Sequence, residues 1–348
     1  MKIAVTGLNA TDNPGPGIPV MRSLQEGGFE DLKLIGLIYD SLEPGIYMDN
    51  AADVCYQIPY PSSGLDSLYE RIAHIHSIEK IDMLIPTLDS ELYGFVKLES
   101  RLNALGIKTF LPTLDQLNIR GKDKLLGFCK ANGIHVPKNT LATSIQDLYS
   151  IPSDFTYPVV IKGIFYEAYI AHNFEEATGF FKKLANKWGY PIIIQEYIKG
   201  SEYNVVALGD GEGGMTGAVP MKKLYITDKG KGWSGVTITE PALLEISQKV
   251  ISKISWKSGM ELEFMKSETT GEYYLLEINP RFPAWVYLAP GAGQNLPAAM
   301  VKMAFGEKIK PFDHYTIGKM FVRCSWDLLA DVSKLAQIST LGVLENGK

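Results

Sequence analysis

The sequence predicts an α/β and α+β protein, with an N-terminal open parallel sheet followed by a mixed region of antiparallel strands. Three observations carry this expectation. Apolar β-branched runs and helical stretches alternate to about residue 112, the pattern of a parallel sheet. From Pro112 the alternation gives way to strand pairs joined by short turns. Near the far end, the run YYLLEINPR (Tyr273 to Arg281) places a carboxylate, a carboxamide and a guanidinium at the exit of an apolar strand.

In chain order, Lys2 to Thr6 is a short β-branched strand that stops at Gly7, and a helix from near Ile18 closes at Gly28. The loop between them, GLNATDNPGPG, has the glycine and proline of a tight connection without the spacing of a dinucleotide site. It reads as a plain loop or a substrate-facing edge rather than a phosphate cradle. Leu34 to Tyr39 is the second strand, and Leu65, Leu68, Ile72 and Ile75 mark a helix. Ile81 to Pro86 is the third strand, and Lys108 to Leu111 is expected as another after a helix ending near Leu105. Asp89 and Glu91 begin that helix outside a strand end, where open parallel sheets collect ligands. Both a substrate-amine contact and helix capping with dipole compensation are open to them.

Thr113 with Gln116 forms a capping pattern, and Leu125, Leu126 and Phe128 give the apolar face of a helix that ends at Gly133. In YPVVIK, Lys162 follows directly on a buried strand; an ammonium there needs an anion, which a phosphate would supply. A helix over Glu175 to Leu184 precedes the strand Pro191 to Ile194, which is expected to hairpin through Lys199 to Glu202 into Tyr203 to Leu208. Strands at Ala218 to Ile226 and Gly235 to Thr239, a helix from Pro241 to Lys257, and a hairpin of Met260 to Met265 with Tyr273 to Ile278 complete the reading.

A chain of 348 residues, 46% hydrophobic, supports a sizeable core. A net charge of -5 with no Lys/Arg-rich run argues against a nucleic-acid partner. Cys55, Cys129 and Cys324 lie far apart without metal-ligand spacing and read as reduced core residues. The N-terminus reads as a strand rather than a signal segment, and no apolar run approaches a membrane span, so a cytoplasmic protein without a membrane partner is expected. On the final strand, Glu277 and Asn279 are two apart and share a face as oxygen ligands, whereas Pro280 ends the ladder and Arg281 offers a planar fork for phosphate or carboxylate. A solvated Glu beside a turn-forming Asn-Pro is the alternative at this point.

Taken together these residues resemble the ATP-grasp superfamily, from the first strand to about residue 310. The resemblance lies in the order of four parts: Lys122 before GIHVP, Lys162 in YPVVIK, QEYIKGSEY from Gln195 to Tyr203, and EINPR from Glu277 to Arg281. It implies a pre-ATP-grasp α/β domain at 1–112, a small subdomain at 113–190 carrying Lys122 and Lys162, a large subdomain at 191–310 carrying the hinge and metal strands, and a C-terminal tail at 311–348 packing on the ATP-grasp domain. It also implies ATP with Mg²⁺, two ions expected and Mn²⁺ as a substitute.

By the same resemblance, Lys122, in preference to Lys124, is the first phosphate-contacting cation and Lys162 the second. Gln195 and Glu196, with the backbone of Tyr197 and Ile198, would read the adenine side, and Glu202 would hold the ribose hydroxyls. Glu263, Glu277 and Asn279 would be the metal ligands, with Glu261 a weaker candidate. Arg281, with Lys162, would be catalytic by holding the transferring phosphoryl group. Asp89, Glu91, Lys222 and Trp285 are the substrate-contact candidates; for Trp285 and Tyr287, packing within a glycine-proline connection is equally open.

One departure stands out. The stretch after Lys162, GIFYEAYIAHN, holds one glycine where the family has a glycine-rich phosphate loop, so clamping would shift toward Lys162, Lys222 or Lys223, the Lys229 to Trp233 loop, or Arg281. The EINPR strand and the PTLDSE turn look most like the carbamoyl-phosphate synthetase and biotin carboxylase branch, including its small amino-acid ligases. The expected activity is an ATP-dependent carboxylate-amine ligase joining small-molecule substrates through an acylphosphate, with a homodimer allowed. The alternatives are a bicarbonate-activating carboxylase or carbamoyl-phosphate synthetase-like enzyme, and a nucleotide-binding regulatory protein without turnover.

Overall fold

The computed structural model describes the chain except residues 10–13, 164–166, 228–231, 326 and 347–348, together with the side chains of 122, 123, 150, 152 and 154. Three sheets organise it. The first takes β1 (Lys2–Thr6), β2 (Lys33–Ile38), β3 (Val54–Gln57) and β4 (Met83–Ile85), all parallel, in the order β3-β2-β1-β4. Their apolar runs are almost wholly buried because helices cover both faces. Within these parallel strands the sequence expectation differs at two places. β3 was hidden by its brevity and its one polar end, and Lys108 to Leu111 makes only a lone parallel bridge, Met83 with Lys108.

The second sheet is small and antiparallel: β5 (Asn139–Ala142), β6 (Val159–Lys162), β7 (Ala168–Ala171) and β8 (Ile192–Glu196), in the order β5-β8-β6-β7. The helix Phe174–Trp188 packs on it through Ala177, Phe181 and Leu184, and Asn173 caps that helix by accepting from Glu176 N at 2.9 Å. β6 and β7 pair antiparallel, with Lys162 opposite Ala168, while residues 164–166 of the stretch after Lys162 lie outside the described residues.

The third sheet is the largest: β9 (Gly200–Asp210), β10 (Met215–Ile226), β11 (Gly232–Thr237), β12 (Lys257–Ser267), β13 (Tyr273–Asn279) and β14 (Met320–Val322), in the order β13-β12-β9-β10-β11-β14. β8 and β9 therefore belong to different sheets, and the expected hairpin through Lys199 to Glu202 is a crossing between them. Main-chain pairing favours this because all of β9 is taken up by β10 and β12.

The C-terminal segment does not pack on one region alone. β14 extends the third sheet, while β15 (Val343–Glu345) pairs antiparallel with β3 in the first. The predicted capping box forms: Thr113 Oγ1 accepts from Gln116 N at 3.2 Å and Gln116 Oε1 from Thr113 N at 2.8 Å. Cys55 and Cys129 are buried, whereas Cys324 is exposed and not a core residue. Among the described residues no helix is long and apolar enough to cross a membrane.

Candidate active site

One face of the third sheet gathers the polar residues. Antiparallel register sets Asn204 beside Glu263, Glu263 beside Glu277, and Glu261 beside Asn279. Directly paired residues share a face, and so do residues two apart. Glu202, Asn204, Glu261, Glu263, Glu277 and Asn279 therefore lie together. The opposite face is apolar, with Tyr203, Val205, Leu262, Phe264, Tyr273 and Leu275 in one core.

This arrangement needs a bulge. Phe264 pairs with Leu275, but the next residue, Glu263, pairs with Glu277, leaving Leu276 unpaired. Strict alternation would put Glu277 and Asn279 on the apolar face with Tyr273 and Leu275. The extra residue turns both onto the acidic face.

Hydrogen bonds order the cluster. Asn279 Nδ2 donates to Glu261 Oε2 at 3.0 Å and to Glu263 Oε1 at 2.9 Å. Glu261 Oε1 accepts from Asn204 Nδ2 and Trp285 Nε1, both at 2.6 Å. Burial, and then the neighbouring Glu263 charge, push the Glu261 carboxyl above the usual carboxylate range. Lys223 Nζ lies 2.6 Å from Glu202 Oε2 and 3.4 Å from Glu263 Oε2. Burial disfavours its charge, but Glu263 and Glu202 outweigh that and hold it above the ordinary lysine value. Glu277 is exposed at the edge of the same face.

Among the described residues, no group of three or more His, Cys, Asp or Glu side chains is disposed to hold a metal alone. The donor set still suits Mg²⁺. Two carboxylates and a carboxamide oxygen suffice when water and phosphate complete the shell, and the ammonium of Lys223 already lies against Glu263 and Glu202. Glu263, Glu277 and Asn279 would hold the ion, and Glu202, expected at the ribose, is paired with Lys223.

Lys162 sits in a cleft on the small sheet, its Nζ 3.5 Å from Gln195 Oε1. Leu125, Val136, Ile193, Leu275 and Leu276 line the cleft together with the polar Asn139 and Gln195. A largely apolar lining with one lysine can take a flat ring bearing an anionic group. Glu196 does not face it with a free carboxylate, since Lys138 N donates to its Oε2 at 3.1 Å. Tyr197 and Ile198 follow β8 without joining a sheet. The Lys122 side chain lies outside the described residues, as do Lys229, Gly230 and Lys231 of the alternative clamping loop; Lys124 is exposed.

The substrate candidates fare unevenly. Arg281 Nε lies 2.7 Å from Asp89 Oδ2, and Arg120 NH1 lies 2.9 Å from Asp89 Oδ1, so two guanidinium groups meet one carboxylate. Burial works against the Arg281 charge, but Asp89 and then Glu261 keep it above its ordinary value. Asp89 is thus a salt-bridge partner rather than a free amine acceptor or a helix cap. Glu91 is fully buried and accepts from Thr87 N at 2.7 Å and Leu88 N at 2.8 Å, as well as from the Thr6 and Tyr39 hydroxyls. It caps its helix and cannot touch a substrate. Lys222 alternates to the opposite face, with Nζ 5.7 Å from the Tyr203 ring centroid. Trp285 is 7% exposed and turned inward to Glu261, which favours the packing alternative over an acceptor wall.

Asn204 and Arg120 were not singled out in the sequence. Asn204 had a readable signal, standing two residues from Glu202 on one strand. Arg120 had none, because only the fold brings it to Asp89.

Comparison with known proteins places likenesses along the chain. Residues 190–321 match a family model described as "ATP-grasp in the biosynthetic pathway with Ter operon". That stretch, which holds nearly all of the third sheet, is similar to the ATP-grasp family. The carbamoyl phosphate synthase large chain of Thermotoga sp. (strain RQ2) is 24% identical over 326 residues, covering 87% of this chain and 28% of that protein. The Clostridium beijerinckii large chain is 24% identical over 229 residues, covering 62% and 21%. The chain thus spans well under a third of these relatives. Among solved structures, biotin carboxylase from Campylobacter jejuni superposes with a TM-score of 0.71 at 16% identity, covering 92% of this chain and 74% of that one. The L-amino acid ligase from Bacillus licheniformis gives 0.63 at 14% identity, covering 89% and 77%. These two likenesses establish the ATP-grasp fold.

Proposed function

We propose that this protein is an ATP-dependent carboxylate-amine ligase. The observation that carries the reading is the face on which Glu263, Glu277 and Asn279 stand together at the exit of β13, with Arg281 immediately beyond. The likeness to an amino-acid ligase supports it, as does a related biotin carboxylase domain solved with MgADP and bicarbonate, 18% identical with a TM-score of 0.68 over 91% of this chain and 72% of that one.

Lys162 would meet the nucleotide phosphates in the cleft on the small sheet. Mg²⁺, when bound, would neutralise the phosphates and orient them for in-line transfer. A carboxylate oxygen of the first substrate attacks the γ-phosphorus, its bond to the bridging oxygen breaks, and ADP leaves. Arg281 would hold the transferred phosphoryl oxygens as a planar donor. The amine of the second substrate then attacks the acyl carbon, phosphate departs, and the amine releases its proton. The chain contributes positioning and charge rather than a nucleophile.

The test is ADP and phosphate release over a panel of amino acids, singly and in pairs, with bicarbonate alone as a separate arm. Release that requires both a carboxylate and an amine, with an amide product by mass spectrometry, is expected. Bicarbonate-dependent release without an amine would assign the carboxylase-like alternative, and nucleotide binding without release under any condition would leave the regulatory one.

A further inference from the structure

We propose that Glu261 is a positioning residue for the cation site and acts through the Asn279 carboxamide; this rests on the reading of that strand exit as a divalent-cation site. Glu261 is 5% exposed, and both of its oxygens are engaged. Its role is therefore in what it orients.

Both Glu261 oxygens accept from N–H donors, so the amides of Asn204 and Asn279 present their NH₂ groups to it. Asn279 gives one Nδ2 proton to Glu261 at 3.0 Å and the other to Glu263 at 2.9 Å. Its Oδ1 is then the atom left for a hard cation. Glu263 favours the same orientation with one hydrogen bond, and Glu261 adds the second, buried one. Asn204 records the same constraint at a cost: its Nδ2 faces Glu261, and its Oδ1, in a residue 2% exposed, has no hydrogen-bond partner. A buried unpaired carbonyl is unfavourable, so the network is held by the carboxylate rather than by each amide finding its own best partners. Trp285 Nε1 and Asn204 Nδ2 hold Oε1, which aims Oε2 at Asn279, and Arg281 NH1 stands 3.9 Å from Oε2.

Glu261→Gln is nearly isosteric but sets an NH₂ against one of these donors. In the full chain, Mn²⁺ binding followed by electron paramagnetic resonance is expected to weaken about tenfold or more, the range for residues that orient metal ligands. Metal-free ADP affinity, measured by calorimetry, is expected to stay at the wild-type value. Trp285→Phe withdraws one donor from Glu261 and is expected to weaken Mn²⁺ by a smaller factor; it carries the test if the glutamine variant is insoluble. Wild-type Mn²⁺ affinity in the variant tested overturns the positioning role, as does a parallel loss of metal-free ADP binding, which would mark a general structural role. If the wild-type chain binds no Mn²⁺, the cation-site reading itself fails and this inference falls with it.

Discussion

Arg281 Nε lies 2.7 Å from Asp89 Oδ2, which joins the exit of the third sheet to a helix of the first. The residues are 192 positions apart in sequence, and Arg120 completes the junction from the opposite side of the carboxylate. Asp89→Ala removes the carboxylate that two partly buried guanidinium groups share and leaves Arg281 only the more distant Glu261 Oε2, at 3.9 Å. A loss of about 2–3 kcal/mol of unfolding free energy is expected, below the range for fully buried pairs because both partners keep some exposure. Chemical denaturation checks it, and an unchanged midpoint would remove Asp89 from the junction.

Glu277→Gln changes one exposed carboxylate at the edge of the acidic face. Magnesium-dependent turnover is expected to fall by more than about a hundredfold, with far-ultraviolet circular dichroism and melting temperature preserved. Wild-type turnover would take Glu277 out of the metal site.

Lys162→Ala removes the ammonium in the cleft on the small sheet. Nucleotide affinity is expected to drop about tenfold, in line with roughly 1.5–3 kcal/mol for a hydrogen bond to a charged group. Calorimetric ATP titration measures this, and unchanged affinity would assign the phosphates to another cation.

Glu79 provides a pH test away from the site. Its carboxylate accepts from Lys33 Nζ at 2.6 Å and Tyr56 OH at 2.8 Å. Burial alone would raise its pKa, but these two partners outweigh it and hold the group below the usual carboxylate range. A lowered native pKa stabilises the fold above the unfolded value and loses that contribution as pH falls through the native one. Glu79→Gln should therefore cost roughly 1 kcal/mol at pH 7, discounted for the exposure of Lys33. The gap to wild type should close on acidification below about pH 4. A gap that stays constant from pH 7 to pH 3 contradicts the assignment.

Local signals were legible where chemistry and periodicity coincide. The Thr113–Gln116 box, the helices at 65–79 and 174–188, and the pairing of β12 with β13 all follow from spacing that neighbouring residues enforce. β3 and the sheet change between β8 and β9 were not legible. Four residues with one polar end carry too little pattern, and a run such as EYIKGSEY has the same sequence whether it turns back or crosses to another sheet. Glu91 and Asp89 illustrate the same limit: helix-start acids look alike until the fold buries one and places the other between two arginines.

The sequence by itself determined the alternating first region, the order of the lysine, hinge and acidic strands, and the residue types able to hold phosphate and a hard cation. These depend on covalent order and short-range spacing. Only the tertiary structure decided which way those residues face. Leu276 slips out of register between Phe264 and Glu263, and that one unpaired residue carries Glu277 and Asn279 from the apolar face of the sheet to the acidic one. A strand's side chains alternate with a period of two, so a single bulge reverses every residue beyond it, and its position is set by the partner strand's packing.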